Sequence, residues 1–353
     1  MNALRHLTKP LNLIDFSSND YLGLARSAEL AACIRDAASH HLSNGATGSR
    51  LLTGNSGYVE HVEVKLATLF HGEAALIFNS GYAANTAVLS SIPARGDTII
   101  YDELAHASIK DGARLSLAER YPFRHNDLSD LESKLSRAKG HRFIVTESLY
   151  SMDGDMAPIK SLVELADRMG ASLIVDEAHS TGIFGATGSG LSVSLGVDKQ
   201  IPIRIYTFGK AMGVHGACVV GSRQLIDFLI NSARPFIYST ALPVHSIVSI
   251  DQAFILLEKY ADLQRTLWEN VEVFCRYFPN AKHQSPIQPI IIPGNDEVRG
   301  VAQRLMENNF DVRPIISPTV KEGSERLRVV LHSFNTHEQI RTLTEMLTRQ
   351  LAA

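Results

Sequence analysis

Cysteine is scarce in this chain of 353 residues: Cys33, Cys218 and Cys275 are far apart and odd in number. No Cys-x-x-Cys pair and no Cys/His spacing suited to a metal occurs. The pattern argues against a disulfide framework or a zinc site and leads us to expect no metal and buried, reduced thiols. No apolar run approaches the roughly 20 residues that span a bilayer. The N-terminal stretch MNALRHLTKPLNLIDFSSND holds no apolar signal core, so a soluble, cytoplasmic protein with no membrane partner is expected. The net charge is only −3 and no basic block stands out, so a nucleic-acid partner has no electrostatic support. Tryptophan occurs once, at Trp268, and there is no internal repeat or low-complexity segment.

What is present is apolar: 45% of the residues are hydrophobic, enough for a large core. Short Ile- and Val-rich runs alternate with helical patterns from residue 58 onward. Strands are predicted at 74–78, 98–101, 143–147, 172–176, 203–208 and 216–220. Helices are predicted at 59–70, 82–91, 105–118, 128–138 and 159–169. This alternation indicates an α/β layer with a mostly parallel central sheet. Ahead of it come a short strand at 13–16, a helix at 27–41 and a Gly/Ser/Thr-rich loop at 45–57. After residue 244 the pattern changes to a long helix at 247–278, strands at 288–292, 311–315 and 327–332, and helices at 297–308 and from Thr336. Thr336 and Gln339 have capping-box spacing. The expected organisation is an arm at 1–25, a large α/β domain at 26–250 and a smaller α+β domain at 251–353.

The chemistry-bearing residues fall where predicted strands end, which is where α/β folds place ligands. Lys210 lies in TFGKAMGVHGA, at a glycine-flanked turn after an apolar strand. An amine held there can attack a carbonyl as a Schiff-base former, although most lysines are solvated surface charges. Asp176 and His179 close the strand in VDEAHSTG. A buried carboxylate needs a cationic partner, and a protonated pyridine nitrogen is one. The bland alternative is a helix-capping Asp176 beside a solvated Glu177. In FNSGYAAN a strand turns through Ser-Gly into a helix, a start suited to phosphate, or an ordinary loop. His106 follows another strand and its imidazole could stack on a ring; a lone histidine is more often a surface or core residue. Ser151 follows a strand in TESLYSMDGD and could donate to a phenolic oxygen, while Asp153 and Asp155 around Gly154 suggest a turn. Arg326 and Arg328 share one strand face, where a guanidinium could clamp a carboxylate, though a surface arginine is the commoner case.

Taken together, the blocks FSSNDYLGL, GATGSRLLTGNS, NSGYAAN, DELAHAS, TESLYSMDGD, VDEAHSTG, TFGKAMGVHGA and YSTALP resemble the α-oxoamine synthases, which are fold-type I pyridoxal-phosphate enzymes. The resemblance covers nearly the whole chain. It implies a large α/β domain with a mostly parallel sheet plus a smaller C-terminal α+β domain. It implies pyridoxal 5'-phosphate as cofactor and decarboxylative joining of an amino acid to an acyl thioester. Lys210 would hold the cofactor covalently and act as a base. Asp176 would pair with the pyridine nitrogen, His106 would stack on the ring, and His179 and Ser151 would contact the phenolic oxygen. The amides of Gly81 and Tyr82 and the side chain of Thr207 would bind phosphate. Ser239 and Thr240 would reach the phosphate in the neighbouring subunit, implying a homodimer with interfacial sites. Asn19 and Arg328 would hold a substrate carboxylate or the acyl group. The TFGK form of the lysine segment favours L-alanine over glycine or serine as the amino acid. Members commonly carry a further helical segment before FSSNDYLGL, where this sequence has a short arm. A branch using glycine or serine remains the alternative, with a non-catalytic partner subunit behind it.

Overall fold

The computed structural model describes residues 12–41, 43–281 and 285–352. Residues 1–11 of the expected arm lie outside the described residues. The strands in chain order are β1 (Ile14–Asp15), β2 (Ala74–Phe78), β3 (Thr98–Asp102), β4 (Glu119–Phe123), β5 (Arg142–Glu147) and β6 (Ser172–Asp176). They continue with β7 (Ile203–Thr207), β8 (Ala217–Gly221), β9 (Ile287–Ile291), β10 (Phe310–Asp311), β11 (Arg313–Ile315) and β12 (Arg326–Val330). The first four helices are α1 (Ala28–Ala38), α2 (Gly57–Leu69), α3 (Gly81–Ser91) and α4 (Ala107–Leu115).

The chain divides into two compact units. One comprises Leu24–Tyr150 and Met156–Ala261; the other comprises the described residues of Met1–Gly23, Ser151–Asp155 and Asp262–Ala353. This partition differs from the expected one. The change of unit falls at Asp262 rather than 251, and a five-residue segment, Ser151–Asp155, groups with the C-terminal part.

The larger unit holds a seven-stranded sheet in the order β2-β8-β7-β6-β5-β3-β4. Only β8 runs against its neighbours. The inner strands are buried along their length because both faces are covered, as expected of a parallel sheet. Successive residues serve opposite faces: Val145 and Ile174 pack with Val88, Leu89 and Ile109, whereas Ile144 and Val175 pack with Leu131, Leu162 and Leu191. β4 was not anticipated, and the predicted helix at 105–118 ends at Leu115. The strand is exposed except at Phe123 and carries Pro122, a residue the sheet tolerates at an edge.

α3 and α4 pack closely because the contact is made by small side chains. A Cβ on Gly112 would lie 3.0 Å from the main-chain oxygen of Asn85 and 3.1 Å from Thr86 Cα. The long helix expected at 247–278 is two, Val244–Lys259 and Asp262–Tyr277. Tyr260 leaves the helical region with φ −118 and ψ 55. Its hydroxyl donates to Glu29 of α1 at 2.7 Å, and Lys259 reaches the same carboxylate at 2.7 Å, so the break coincides with bonds to α1.

The other unit has a three-stranded antiparallel sheet in the order β11-β12-β9 and a parallel pair, β1 with β10. The expected strand at 311–315 is the two pieces β10 and β11. The final helix, His337–Ala352, starts with the expected reciprocal cap: the Thr336 amide donates to Gln339 Oε1 and the Gln339 amide to Thr336 Oγ1. Of the cysteines only Cys218 is buried, and Cys33 and Cys275 are half-exposed, against the expectation that all three are buried. Among the described residues no helix is long and apolar enough to cross a membrane.

Candidate active site

Because all strands but β8 share one direction, the carboxyl ends of β2, β3, β5, β6 and β7 lie along one edge of the sheet. Those ends lead into Gly81, His106, Glu147, Asp176 and the Thr207–Lys210 segment. Sequence order thus becomes spatial neighbourhood within the larger unit.

The lysine turn joins two antiparallel neighbours, β7 and β8. Phe208 donates its amide to the oxygen of Gly216 at 2.9 Å, Val214 donates to Phe208 at 2.9 Å, and Gly213 donates to Lys210 at 2.8 Å. Gly213 has φ +66, and any side chain there would overlap the main chain of Leu24 and Ala25. The turn is therefore fixed at both ends and in its middle. The Lys210 charge adds to the lowering of the His106 pKa by burial and partly offsets the rise that burial and Asp176 cause in Glu147.

Asp176 is buried, and its partners are neutral: Asn85 Nδ2 donates to Oδ2 at 2.6 Å and the Ala178 amide to Oδ1 at 2.8 Å. It does not cap a helix. Glu177 is fully buried rather than solvated. Its carboxylate accepts the amides of Leu191 and Ser192 at 2.9 Å each, together with the Ser180 hydroxyl. It thereby holds the first turn of the short helix Leu191–Ser194. His179 is buried beside them.

At the start of α3, Ser80 Oγ accepts the Ala83 amide at 3.1 Å, leaving the first amides of the helix to face outward from the strand end. A side chain on Gly81 would overlap Thr207 Cγ2, so glycine is what lets the helix start and Thr207 meet. Tyr82 is 48% exposed and its hydroxyl donates to Asp111. Ser239 is half-buried and Thr240 exposed; the Thr240 oxygen accepts from Asn79 Nδ2 at 3.0 Å.

His106 forms the N-cap of α4, and part of its surface is exposed. Burial of the remainder lowers its pKa; Asp176 opposes this, and Lys210 and Lys110 add to it. Its main-chain amide donates to Glu147 Oε1 at 2.6 Å. Glu147 lies directly across the β5–β6 ladder from Asp176. Burial, with Asp176 beside it, pushes the Glu147 carboxyl up to about 8. Sequence reasoning passed over Glu147 and Asn85. The strand-end position of Glu147 was a signal for it; Asn85, inside an alanine-rich helix, gave none.

The remaining predicted residues belong to the other unit. Arg328 is buried, not a surface arginine: its Nε donates to the Ser151 oxygen at 2.6 Å and its Nη2 to Asn19 Oδ1 at 2.9 Å. Arg326, on the same face of β12, pairs with Asp153 at 2.5 Å. Asn19, Ser151 and Arg328 are thus brought together.

Two features fit a phosphorylated pyridine: a helix start that only glycine leaves open, and a buried carboxylate met by neutral donors. The profile of aminotransferase class I and II matches residues 12–347. The chain belongs to the aminotransferase class I and II family. This aminotransferase-family chain is 39% identical to an 8-amino-7-oxononanoate synthase of Emericella nidulans, over 97% of this chain and 90% of that protein. Its fold is similar to a serine palmitoyltransferase from S. paucimobilis solved with pyridoxal phosphate and myriocin bound. That match has a TM-score of 0.90 and 28% identity, covering 96% of this chain and 87% of the other. An 8-amino-7-oxononanoate synthase of Francisella tularensis matches with a TM-score of 0.83 and 30% identity, covering 96% and 98%. Within the family the chain is an α-oxoamine synthase with the fold-type I architecture.

Proposed function

We propose that this enzyme joins L-alanine to a pimeloyl thioester, on coenzyme A or a carrier protein, to give 8-amino-7-oxononanoate, carbon dioxide and the free thiol, a step of biotin biosynthesis. It is a pyridoxal-phosphate-dependent acyltransferase. The observation that carries the reading is the strand-end set Gly81, His106, Asp176, Thr207 and Lys210, assembled on one sheet edge in a chain this similar to those synthases.

Pyridoxal phosphate, when bound, supplies an electron sink for charge that develops at the amino acid's Cα. Gly81, Tyr82 and Thr207 would receive its phosphate, using the amides at the start of α3. Asp176 keeps the ring nitrogen protonated by offering it a buried negative charge. His106 would stack its imidazole on the ring, and His179 and Ser151 would be the donors to the phenolic oxygen. Lys210 would anchor the cofactor through its amine, and the same amine, once free, would serve as the base that takes the Cα proton. The carbon so activated attacks the thioester carbonyl: a C–C bond forms, the thiolate leaves, and the carboxyl group departs as carbon dioxide. Lys210 returns the proton to carbon. Asn19 and Arg328 hold a substrate carboxylate, with the guanidinium oriented by the Ser151 and Asn19 oxygens. Ser239 and Thr240 serve the phosphate of a second copy, in a homodimer.

The test is a substrate matrix: alanine, glycine and serine against short, pimeloyl and long acyl thioesters, with thiol release followed. Release that depends on alanine and the pimeloyl donor is expected. It should fall by on the order of 10²–10⁴ in Lys210→Ala, which also loses borohydride trapping of the cofactor. Turnover only with serine and a long acyl donor would favour the second reading, motivated by the TM-score of 0.90 to serine palmitoyltransferase.

A further inference from the structure

A chain of hydrogen bonds runs from Asp176 to the ring of His106 through two residues without a role in the reaction described above. Asn85, buried on α3, spends its Nδ2 amide twice: on Asp176 Oδ2 at 2.6 Å and on Ser108 Oγ at 3.1 Å. Ser108, fully buried on α4, lies with its Oγ 2.7 Å from His106 Nδ1. The main-chain amide of Ser108 donates to the same nitrogen at 3.2 Å. A main-chain amide can only donate, so Nδ1 is an acceptor and carries no proton; the neutral ring is then protonated at Nε2. The Ser108 hydroxyl obeys the same order, because it accepts from Asn85 and has its own proton left for Nδ1.

Position on α4 acts in the same sense. His106 is the N-cap, where the helix dipole disfavours a cation. The charged and titratable groups that bear on the ring are Asp176, Lys210, Lys110 and Asp111, with the Glu147 carboxyl holding the His106 amide. Burial and the two lysines outweigh the two aspartates, and the His106 pKa falls below its usual value.

We propose that Asn85 and Ser108 are positioning residues that hold His106 as a neutral imidazole protonated at Nε2 and tie its ring to Asp176. The inference rests on the proposed function only for its consequence. A neutral ring leaves the Asp176 charge to the cofactor nitrogen, for which an imidazolium would compete. It also presents an N–H at Nε2 as a hydrogen-bond donor, so His106 is not a general base in this reaction.

The test is nitrogen NMR of the ¹⁵N-histidine-labelled full chain, with and without pyridoxal phosphate, across about pH 5 to 9. His106→Gln assigns the signals. The expected result is an unprotonated Nδ1 and a protonated Nε2 at neutral pH in both forms. Ser108→Ala removes the shorter donor but keeps the main-chain amide, so Nδ1 should stay unprotonated while the His106 pKa rises, because the neutral ring loses one hydrogen bond. Ser108→Thr, which keeps the hydroxyl, should restore the original signals. A protonated Nδ1 in the unaltered protein, or a Ser108→Ala variant whose His106 pKa is unchanged, would overturn the proposal. If the variants do not fold, the unaltered protein's spectrum decides alone. Since the signals are read without turnover, a chain inactive on alanine and the pimeloyl donor would count against the proposed function and leave this measurement intact.

Discussion

Glu147 and Asp176 face each other across two adjacent strands with almost no water around them. Two carboxyl groups so placed do not both ionise freely, and Glu147 is the one that keeps its proton, with a pKa near 8 against 4.5 for the ordinary group. Between those values the folded chain binds more protons at this site than the unfolded chain. The site's contribution to stability therefore falls as pH rises from about 4.5 to 8 and is constant above that. Glu147→Gln, which mimics the protonated acid, should flatten that slope. Urea denaturation of both proteins at the two ends of the window measures it, and parallel slopes would contradict the assignment. The sequence made Lys210 and Asp176 legible because each closes an apolar strand within a distinctive run of residues. Asn85 and Ser108 were not, because their meaning arises only where two helices come close enough for an amide to span them.

The elements were mostly legible where a single physical cause decides them. β2 and β6 were predicted at their observed bounds, being short apolar runs between turn residues. β4 was missed because an exposed, proline-bearing edge strand lacks the apolar signature. The break at Tyr260 was missed because no glycine or proline marks it locally; the contacts that accompany it go to Glu29, far away in sequence. At the start of α3 a local cause and a tertiary one coincide: the first amides are the proposed phosphate site, and Gly81 is compelled by Thr207. Gly81→Ala should thus weaken pyridoxal phosphate binding at least tenfold, and overpacking should cost roughly 1–3 kcal/mol of stability. Cofactor titration by absorbance and denaturation report the two effects separately; unchanged affinity would remove Gly81 from the phosphate site.

At the scale of the molecule, sequence reading anticipated two parts but drew them as consecutive blocks. It could not see that Ser151–Asp155, a loop between strand and helix of the larger unit, groups with the smaller one through Arg326 and Arg328. The larger unit also leaves Leu52 and Tyr238 82% and 72% exposed, which accords with the proposed homodimer. Sedimentation velocity should give about twice the 38.7 kDa of one chain, and a monomer at all concentrations would refute the shared site. The strand order carries a further consequence, for synthesis on the ribosome. β2 stands at the sheet edge and bonds only to β8, whose residues follow it by more than a hundred positions. An emerging chain that has not reached Ala217 has no sheet partner for β2, so the helix start at Gly81 cannot yet be braced. On the proposed site residues, a chain released before Ala217 is expected to retain little pyridoxal phosphate, which absorbance of a purified truncated chain would check.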